Sequence, residues 1–467
     1  MLAQVGGRVY GSRVRVRWVL GVTIVLLFMA EAQSTYGDKW TAPFAWAFSI
    51  LFEATPWKIR PFDHITALCL IVALNSRDGK GPRVKSMRNA LLLSGASIVI
   101  WFLYGWLRGG GAWEASWQTY LPLSGVLFAF AIAAAFRTPE HYALLAKMLF
   151  VAAAYRAVMC WCFYFIYVRG MRIEPPEYIT SHDDTVLWVV CMLILALYAI
   201  ETPNLAARFK SFLFFALLFG AVLFNQRRLA WVSLAMGLVL MFVLLRPGRA
   251  KRRATRVLVF ALPIVLVYVT IGWGRPERIF RPVQSFATVS TEEDTSTKAR
   301  NMENLGLIAT SNQSSLFMGT GWGHPYVEVS SKYSIATVFK DWAYFPHNSI
   351  LGILGYTGVL GFFGYWLAFP TAMYLNARVA RYATTPLARH AGVIGAVQLV
   401  VCANQYYGDM GIVYPRAVYM LSLSYALALR LPILAGAWPM PKSSLQRGRE
   451  PAMAQVEPNP PEDGRRT

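Results

Sequence analysis

Charged residues are scarce in this sequence: they make up 15% of its 467 residues, whereas a soluble protein carries about a quarter. The shortage excludes an ordinary soluble protein, and it accompanies 56% hydrophobic residues and a mean hydropathy of +0.41. A helix that spans a bilayer needs roughly 20 apolar residues, and such runs recur along the chain. The sequence therefore predicts an all-α polytopic membrane protein.

Cysteine and the common cofactor motifs are also rare or missing. The five cysteines lie in apolar segments without a CxxC pair, which excludes a disulfide or zinc framework. No GKS or GKT completes a Walker motif, and no DxD motif offers ligands for a metal–diphosphate site. We therefore predict neither a metal nor a cofactor. The cysteines are Cys69, Cys160, Cys162, Cys191 and Cys402.

Acidic residues are few, with 24 against 45 lysines and arginines, so the formal net charge is +21. Such a charge could indicate nucleic acid as a partner. The basic residues instead form short clusters between apolar runs, which is the pattern of the positive-inside rule. This placement argues against nucleic-acid binding and predicts three cytoplasmic loops, at 77–88, 246–256 and 378–389.

Counting spans outward from these loops predicts about twelve transmembrane helices. The first apolar run, 18–30, is either a signal peptide or a retained helix, and the many later spans favour the retained helix. The short run 42–56 is predicted to be interfacial or re-entrant. The predicted parts are an N-terminal transmembrane bundle (1–273), one large periplasmic loop with short amphipathic helices (274–346), C-terminal transmembrane helices (347–430) and a partly disordered cytoplasmic tail (431–467).

Three arginines break the charge rules of membrane proteins. Arg227 and Arg228 occupy a tight turn predicted to face outward, where arginine is disfavoured. They either snorkel to lipid headgroups or form a rigid cation site for phosphate, and their placement favours the cation site. Arg156 lies inside the apolar run 142–168. It either lines a groove for a lipid chain or forms an internal ion pair that holds helices together.

The large loop carries the next candidates. Apolar residues recur at helical spacing from Ala299 to Ile308, which predicts an amphipathic helix on the membrane that bears Arg300. Further on, the segment Gly-Thr-Gly-Trp-Gly-His-Pro-Tyr has alternating glycines, which suit a binding loop or a plain tight turn. A binding loop would present to substrate the side chains or backbone of Gly321, Trp322, His324 and Tyr326.

His347 is the most informative position. It follows a proline and precedes Asn348 at the predicted outer end of a membrane helix, where the helix dipole disfavours imidazolium. A neutral imidazole can accept a proton near pH 7. Glycines then recur every third residue over 352–364, so we expect this helix to pack centrally. The His-Asp-Asp segment at 182–184 is a weak metal site and is interpreted as a helix N-cap.

These features and their order resemble the O-antigen ligase and Wzy polymerase superfamily of bacterial envelope polysaccharide synthesis. The marks are Arg-Leu-Ala-Trp after Arg227, the helix with Arg300, the Gly-Thr-Gly-Trp-Gly segment, and His347-Asn348 at the head of a glycine-rich helix. The motifs cover about 210–365, and the remainder is similar only in its number of helices.

The resemblance implies three catalytic residues, Arg228, Arg300 and His347. Arg228 is the better match of the arginine pair, although Leu229 stands where glycine is common in the family. We expect substrate contacts from seven further residues. They are Arg156, Arg227, Gly321, Trp322, His324, Tyr326 and Asn348.

The resemblance also implies metal-independent glycosyl transfer from an undecaprenyl-diphosphate-linked glycan, in the bacterial inner membrane and at its periplasmic face. The arginines would hold the diphosphate, and His347 would take the proton of the acceptor hydroxyl. A polymerase would join repeat units of an exopolysaccharide or O-antigen onto a lipid-linked glycan, with a chain-length regulator as partner. A ligase would move the finished glycan to lipid A–core. Polymerase is preferred, and a lipid-linked glycan transporter is the alternative from another class.

Overall fold

The computed structural model describes residues 2–29, 60–75, 81–166, 168–170, 179–275, 277, 280, 282–284, 295–330 and 343–439. Over these residues the chain forms helices and turns without a strand, so the all-α class is confirmed there. The predictions for the run 42–56 and for the tail beyond 439 lie outside the described residues.

Fourteen α-helices fall within these ranges. They are α1 (Leu2–Met29), α2 (Pro61–Asn75), α3 (Lys85–Leu107), α4 (Ala112–Ala135), α5 (Pro139–Ile166), α6 (Asp184–Glu201), α7 (Leu205–Asn225), α8 (Arg228–Leu244), α9 (Arg249–Gly272), α10 (Thr295–Gln313), α11 (Ser349–Trp366), α12 (Ala368–Tyr382), α13 (Pro386–Gly408) and α14 (Pro415–Leu434).

Nine segments of the described chain are long and apolar enough to cross a bilayer, with α11 and α12 counted as one segment. Shorter apolar helices at Val16–Met29, Pro61–Asn75 and Arg228–Leu244 accompany them. The chain is therefore a multi-pass membrane protein. A total of about twelve crossings and a periplasmic position for the large loop stay predictions.

The helices differ sharply in burial. Apolar side chains of α9, such as Val257, Phe260 and Ile264, are exposed over nearly the whole helix, as expected for a helix surrounded by lipid. In contrast, α14 is buried along almost its entire length and packs against α4, α12 and α13. The central helix is therefore α14. The expectation that the glycine-rich α11 is central was wrong, because α11 packs on α3 and α10 and leaves Leu360 and Phe363 exposed.

Basic residues gather at one end of the bundle and bind helix carbonyls there. Arg381 Nη2 donates to Val243 O (2.8 Å), Arg253 Nη1 donates to Thr202 O (3.2 Å), and Arg246 also donates to the carbonyl of Arg381. These bonds satisfy carbonyls that helix ends leave without a partner. Along α8, 17 residues at 1.5 Å each place this end about 25 Å from Arg228.

Arg156 belongs to a buried ion network that joins α5, α6 and α14. Its side chain donates from Nη2 to Asp184 Oδ2 (2.6 Å) and from Nε to Asp184 Oδ1 (3.0 Å). Arg416 Nη1 lies 2.7 Å from Asp183 Oδ1 and 3.1 Å from Asp184 Oδ1. The internal ion pair is thus present, whereas substrate binding by Arg156 stays a prediction. Asp183 occupies the N-cap position of α6, as predicted for this segment, but its side chain makes no capping hydrogen bond.

Replacement of Arg156 tests whether this network holds the helices together. Arg156→Ala leaves the buried Asp184 with one cation fewer, so we expect a loss of about 3–5 kcal/mol in the free energy of unfolding. Unfolding in mixed micelles by SDS titration measures it. Lys147→Ala is the matched control, because Lys147 is an exposed cation on the same helix and should change stability by less than about 0.5 kcal/mol. Equal stability of both variants would contradict the structural role.

Candidate active site

Loops that are far apart in sequence meet at the end of the bundle opposite the basic loops. The amide of Ile179 donates to Asn225 Oδ1 (3.1 Å), which joins the loop before α6 to the turn after α7. The amide of Met410 donates to His347 O (2.7 Å), which joins the loop after α13 to the start of α11. Candidate residues that are far apart in sequence are therefore neighbours at this end.

The glycine-rich segment docks into a break in α11. Gly358 has φ of 58°, a left-handed conformation that side chains rarely adopt, and the helix is interrupted there. Two amides of the loop donate to carbonyls before the break, and two amides after it donate back to the loop. The bonds are Thr320 N to Gly355 O (3.3 Å), Gly321 N to Tyr356 O (2.7 Å), Val359 N to Leu316 O (2.9 Å) and Leu360 N to Phe317 O (3.1 Å).

The next residues of this segment are buried against the α3–α4 corner. Gly321 has φ of 84°, and a Cβ there would come within 2.2 Å of Gly105 Cα. Trp322 is only 1% exposed, and Gln118 Oε1 accepts from the amide of Gly323 (2.6 Å). The alternating glycines therefore serve close backbone packing in this structure. Substrate contact by Gly321 and Trp322 stays a prediction.

His324 and Tyr326 continue the same packing. His324 Nε2 lies 3.2 Å from Gly105 O, and the amide of Tyr326 donates to Ala343 O (3.0 Å). Burial raises the pKa of the Tyr326 hydroxyl, and the nearby charge of Glu303 acts in the same direction. The hydroxyl of Tyr326 therefore stays protonated at neutral pH.

His347 stands at the head of α11 and is held by a carboxylate of the large loop. Glu303, on α10 and 5% exposed, accepts from the His347 amide and from its ring Nδ1, both at 2.9 Å. In a neutral imidazole, a carboxylate acceptor at Nδ1 places the ring proton there, and the lone pair is then on Nε2. Asn348 caps α11, since its Oδ1 accepts from the amide of Leu351 (3.1 Å).

A second histidine lies in the same region. His182 Nε2 is 2.6 Å from Arg227 Nη2, and His182 Nδ1 pairs with the carboxylate of Asp409. The ring of Tyr414 stacks on the imidazole at 5.9 Å between centroids. Arg227, the N-cap residue of α8, is therefore held by residues from two other loops.

Arg300 lies one helical turn before Glu303 on α10, and its charge reaches the His182 pair. Burial lowers the pKa of His182, and Arg227 and Arg300 add to this lowering against the charge of Asp409. Burial alone would raise the pKa of Asp409, but His182 and the same two arginines outweigh it and lower that pKa. Three of the predicted residues, Arg227, Arg300 and His347, are thus brought to one region. Arg228 is the partly buried first residue of α8 beside them.

Sequence reasoning missed the acidic partners. Glu303 lies three residues after Arg300 and outside the apolar series of α10, so the spacing did not mark it as a partner of His347. From the sequence, His182 was predicted only to belong to a weak metal site or a helix N-cap, and no role was predicted for Asp409. In the part of the chain that the structure describes, no three His, Cys, Asp or Glu side chains are grouped to hold a metal ion.

The fold and this region define a multi-pass helical membrane protein with arginines and a carboxylate-held histidine clustered at one end. A family model described as O-antigen ligase matches residues 213–366, the stretch from α7 to the end of α11. The match confirms the resemblance to the O-antigen ligase and Wzy superfamily that the motifs predicted. The match supports glycosyl transfer of the ligase or polymerase type in general. No curated protein matches the chain.

The break in α11 can be tested with two glycines of the same helix. Gly358→Ala should lower stability and activity, because its Cβ would meet Phe317 backbone atoms at 2.4 Å and its φ is positive. Gly355→Ala should be tolerated, since its Cβ would meet only Leu307 O at 3.6 Å and alanine favours a helix by about 1 kcal/mol. Thermal unfolding in detergent and product yield measure both. Similar behaviour of the two variants would argue against the docking.

Proposed function

We propose that this protein transfers a glycan from an undecaprenyl-diphosphate carrier to an acceptor hydroxyl, and that it polymerises repeat units of an exopolysaccharide or O-antigen. The observation that carries the proposal is that His347, bound to the carboxylate of Glu303, lies in the same region as Arg227 and Arg300. All three residues fall within the segment that matches the O-antigen ligase family. A base and a cation site are the two functions that this chemistry requires.

The arginines suit the leaving group. During transfer the bond between the anomeric carbon and the phosphate oxygen breaks, and the electron pair leaves with the diphosphate. Guanidinium groups donate in a planar fork that matches phosphate oxygens, so Arg228 and Arg300, with Arg227 beside them, would stabilise the growing negative charge. If arginines neutralise the leaving group, the reaction needs no metal ion.

His347 suits the acceptor. The acceptor oxygen attacks the anomeric carbon directly, and its proton moves to a base as the new bond forms. With Nδ1 bound to Glu303, the basic nitrogen of His347 is Nε2. Glu303 also accepts from the His347 amide, so it fixes both the backbone and the ring of the base. We assign Glu303 as a positioning residue that acts through His347.

The charge distribution supports catalysis at the periplasmic face of the inner membrane. The basic loops around Arg246 and Arg381 share one end of the bundle, and the positive-inside rule would place that end in the cytoplasm. His347, Arg227 and Arg300 lie at the other end. A donor held there would have its prenyl chain in the outer leaflet and its glycan in the periplasm.

Variants of the proposed base separate chemistry from binding. His347→Ala should lower kcat by about 10²–10⁴-fold, the usual contribution of a general base, with little change in folding. Glu303→Gln should lower kcat more than it raises donor KM, because the ring loses its fixed tautomer while the arginines remain. Steady-state kinetics of the purified protein measures both. Normal kcat in His347→Ala would refute the base assignment.

Reconstitution tests the activity itself. The full chain in proteoliposomes, given an undecaprenyl-diphosphate-linked repeat unit, should form a ladder of longer lipid-linked glycans, and it should do so in the presence of EDTA. Gel separation of the product measures chain growth. Transfer of a preformed chain to lipid A–core without ladder formation would favour a ligase, and loss of activity in EDTA would contradict metal independence.

A further inference from the structure

The contacts of His182 determine where its proton lies. It faces Arg227 through Nε2 at 2.6 Å and Asp409 through Nδ1. Guanidinium can only donate hydrogen bonds, so Nε2 must be the acceptor and carry no proton. The ring proton then lies on Nδ1 and faces the carboxylate. The observed arrangement therefore requires a neutral imidazole in one tautomer.

The surroundings of His182 leave little freedom for this arrangement. Its side chain is 20% exposed and that of Asp409 only 3%. In the described part of the chain, the charged groups that act on it include Arg227 from the turn before α8, Arg300 from α10 and Asp409 from the loop after α13. Asp183 is adjacent in sequence, but its carboxylate is bound to Arg416. The imidazole thus links the Asp409 carboxylate to the Arg227 guanidinium.

The Asp409 loop also reaches the proposed base. Met410 has φ of 47°, which a residue other than glycine adopts rarely, so tertiary contacts must hold this turn. Its amide donates to His347 O (2.7 Å), and the amide of Ile412 donates to Ser349 Oγ (3.3 Å). One short loop therefore contacts both the residue that holds Arg227 and the start of α11.

We infer that Asp409 and His182 form a positioning relay that directs the Arg227 guanidinium toward a diphosphate and releases it when His182 takes up a proton. The inference rests on the proposed function, since it concerns the same anion site. Protonation would remove the acceptor at Nε2 and set two cations against each other at hydrogen-bond distance. The relay holds Arg227 at neutral pH and fails as the pH falls.

The direction of the pH effect follows from the surroundings of His182. Burial and the two arginines lower its pKa, so the neutral form persists below the ordinary histidine value of about 6.5. Diphosphate affinity should therefore be constant near neutral pH and should fall only on the acid side of that value. A histidine that served as an extra cation would give the opposite result, with tighter binding in acid.

The test is diphosphate binding by the full chain in nanodiscs, with farnesyl diphosphate as the probe and isothermal titration calorimetry between about pH 5 and 8. Wild-type affinity should fall by about tenfold or more in acid, the effect of losing one charge-assisted hydrogen bond. His182→Gln retains a donor for Asp409 and an acceptor for Arg227 but does not titrate. This variant should bind farnesyl diphosphate within a few-fold of the wild-type affinity at neutral pH. Its affinity should decrease much less than that of the wild type in acid.

Two further variants control for folding and for the ligand. Arg227→Gln keeps His182 but removes the guanidinium, so it should bind more weakly at neutral pH and lose the same acid dependence. His390→Gln removes a histidine at the opposite end of α13, about 28 Å from Asp409, and should keep the wild-type profile. Protonation of the probe itself affects all variants alike.

The possible outcomes distinguish a failure of the relay from a failure of the proposed diphosphate site. An acid fall that is equal in the wild type and His182→Gln would overturn the relay, as would wild-type binding that tightens in acid. An unchanged acid dependence in Arg227→Gln would overturn the role given to Arg227. Absence of farnesyl diphosphate binding by the wild type at every pH would overturn the proposed diphosphate site, and with it this inference.

Discussion

The backbone hydrogen bonds at the break in α11 are the constraint on which the rest of the site depends. Within a bilayer an unpaired peptide group costs several kcal/mol, so a helix can be interrupted only where another segment supplies partners. Here the loop from Leu316 to Gly321 supplies them at Gly358. This exchange ties the large loop to the helix that begins beside His347. Arg300 and Glu303 belong to that loop and are positioned with it.

Charge is used in two ways at this end of the bundle. Arg156, Asp183, Asp184 and Arg416 neutralise one another in the interior and join three helices, a role in which ion pairs give position more than stability. Nearer the helix ends, His347 and Arg227 are each held by a side chain from another part of the chain. Glu303 holds His347, and Asp409 holds Arg227 through His182. Such held groups are preorganised, as stabilisation of a developing charge requires.

The glycine-rich segment shows how one pattern can have two physical explanations. Alternating glycines indicated close backbone approach, and the structure contains that approach at Gly105 and Gly358. The spacing did not reveal which backbone comes close to these glycines. In the described residues it is the backbone of the protein's own helices and loop. The same holds for Arg156. The free-energy cost of burying an arginine in a membrane predicted that it lines a cavity or has a partner, but it did not show whether Arg156 faces a lipid groove or pairs with Asp184.

The sequence by itself determined that the chain is an all-α, multi-pass membrane protein, which loops are basic, and the order of Arg228, Arg300 and His347. Each of these is a local property, set by hydropathy, charge or a short motif. Only the tertiary structure decided that α14 is central and that Glu303, His182 and Asp409 are the partners. Glu303 lies 44 residues from His347, and His182 lies 45 residues from Arg227. Helix periodicity shows which face of a helix is apolar but not which helix packs against it, so pairings across such distances have no local signal.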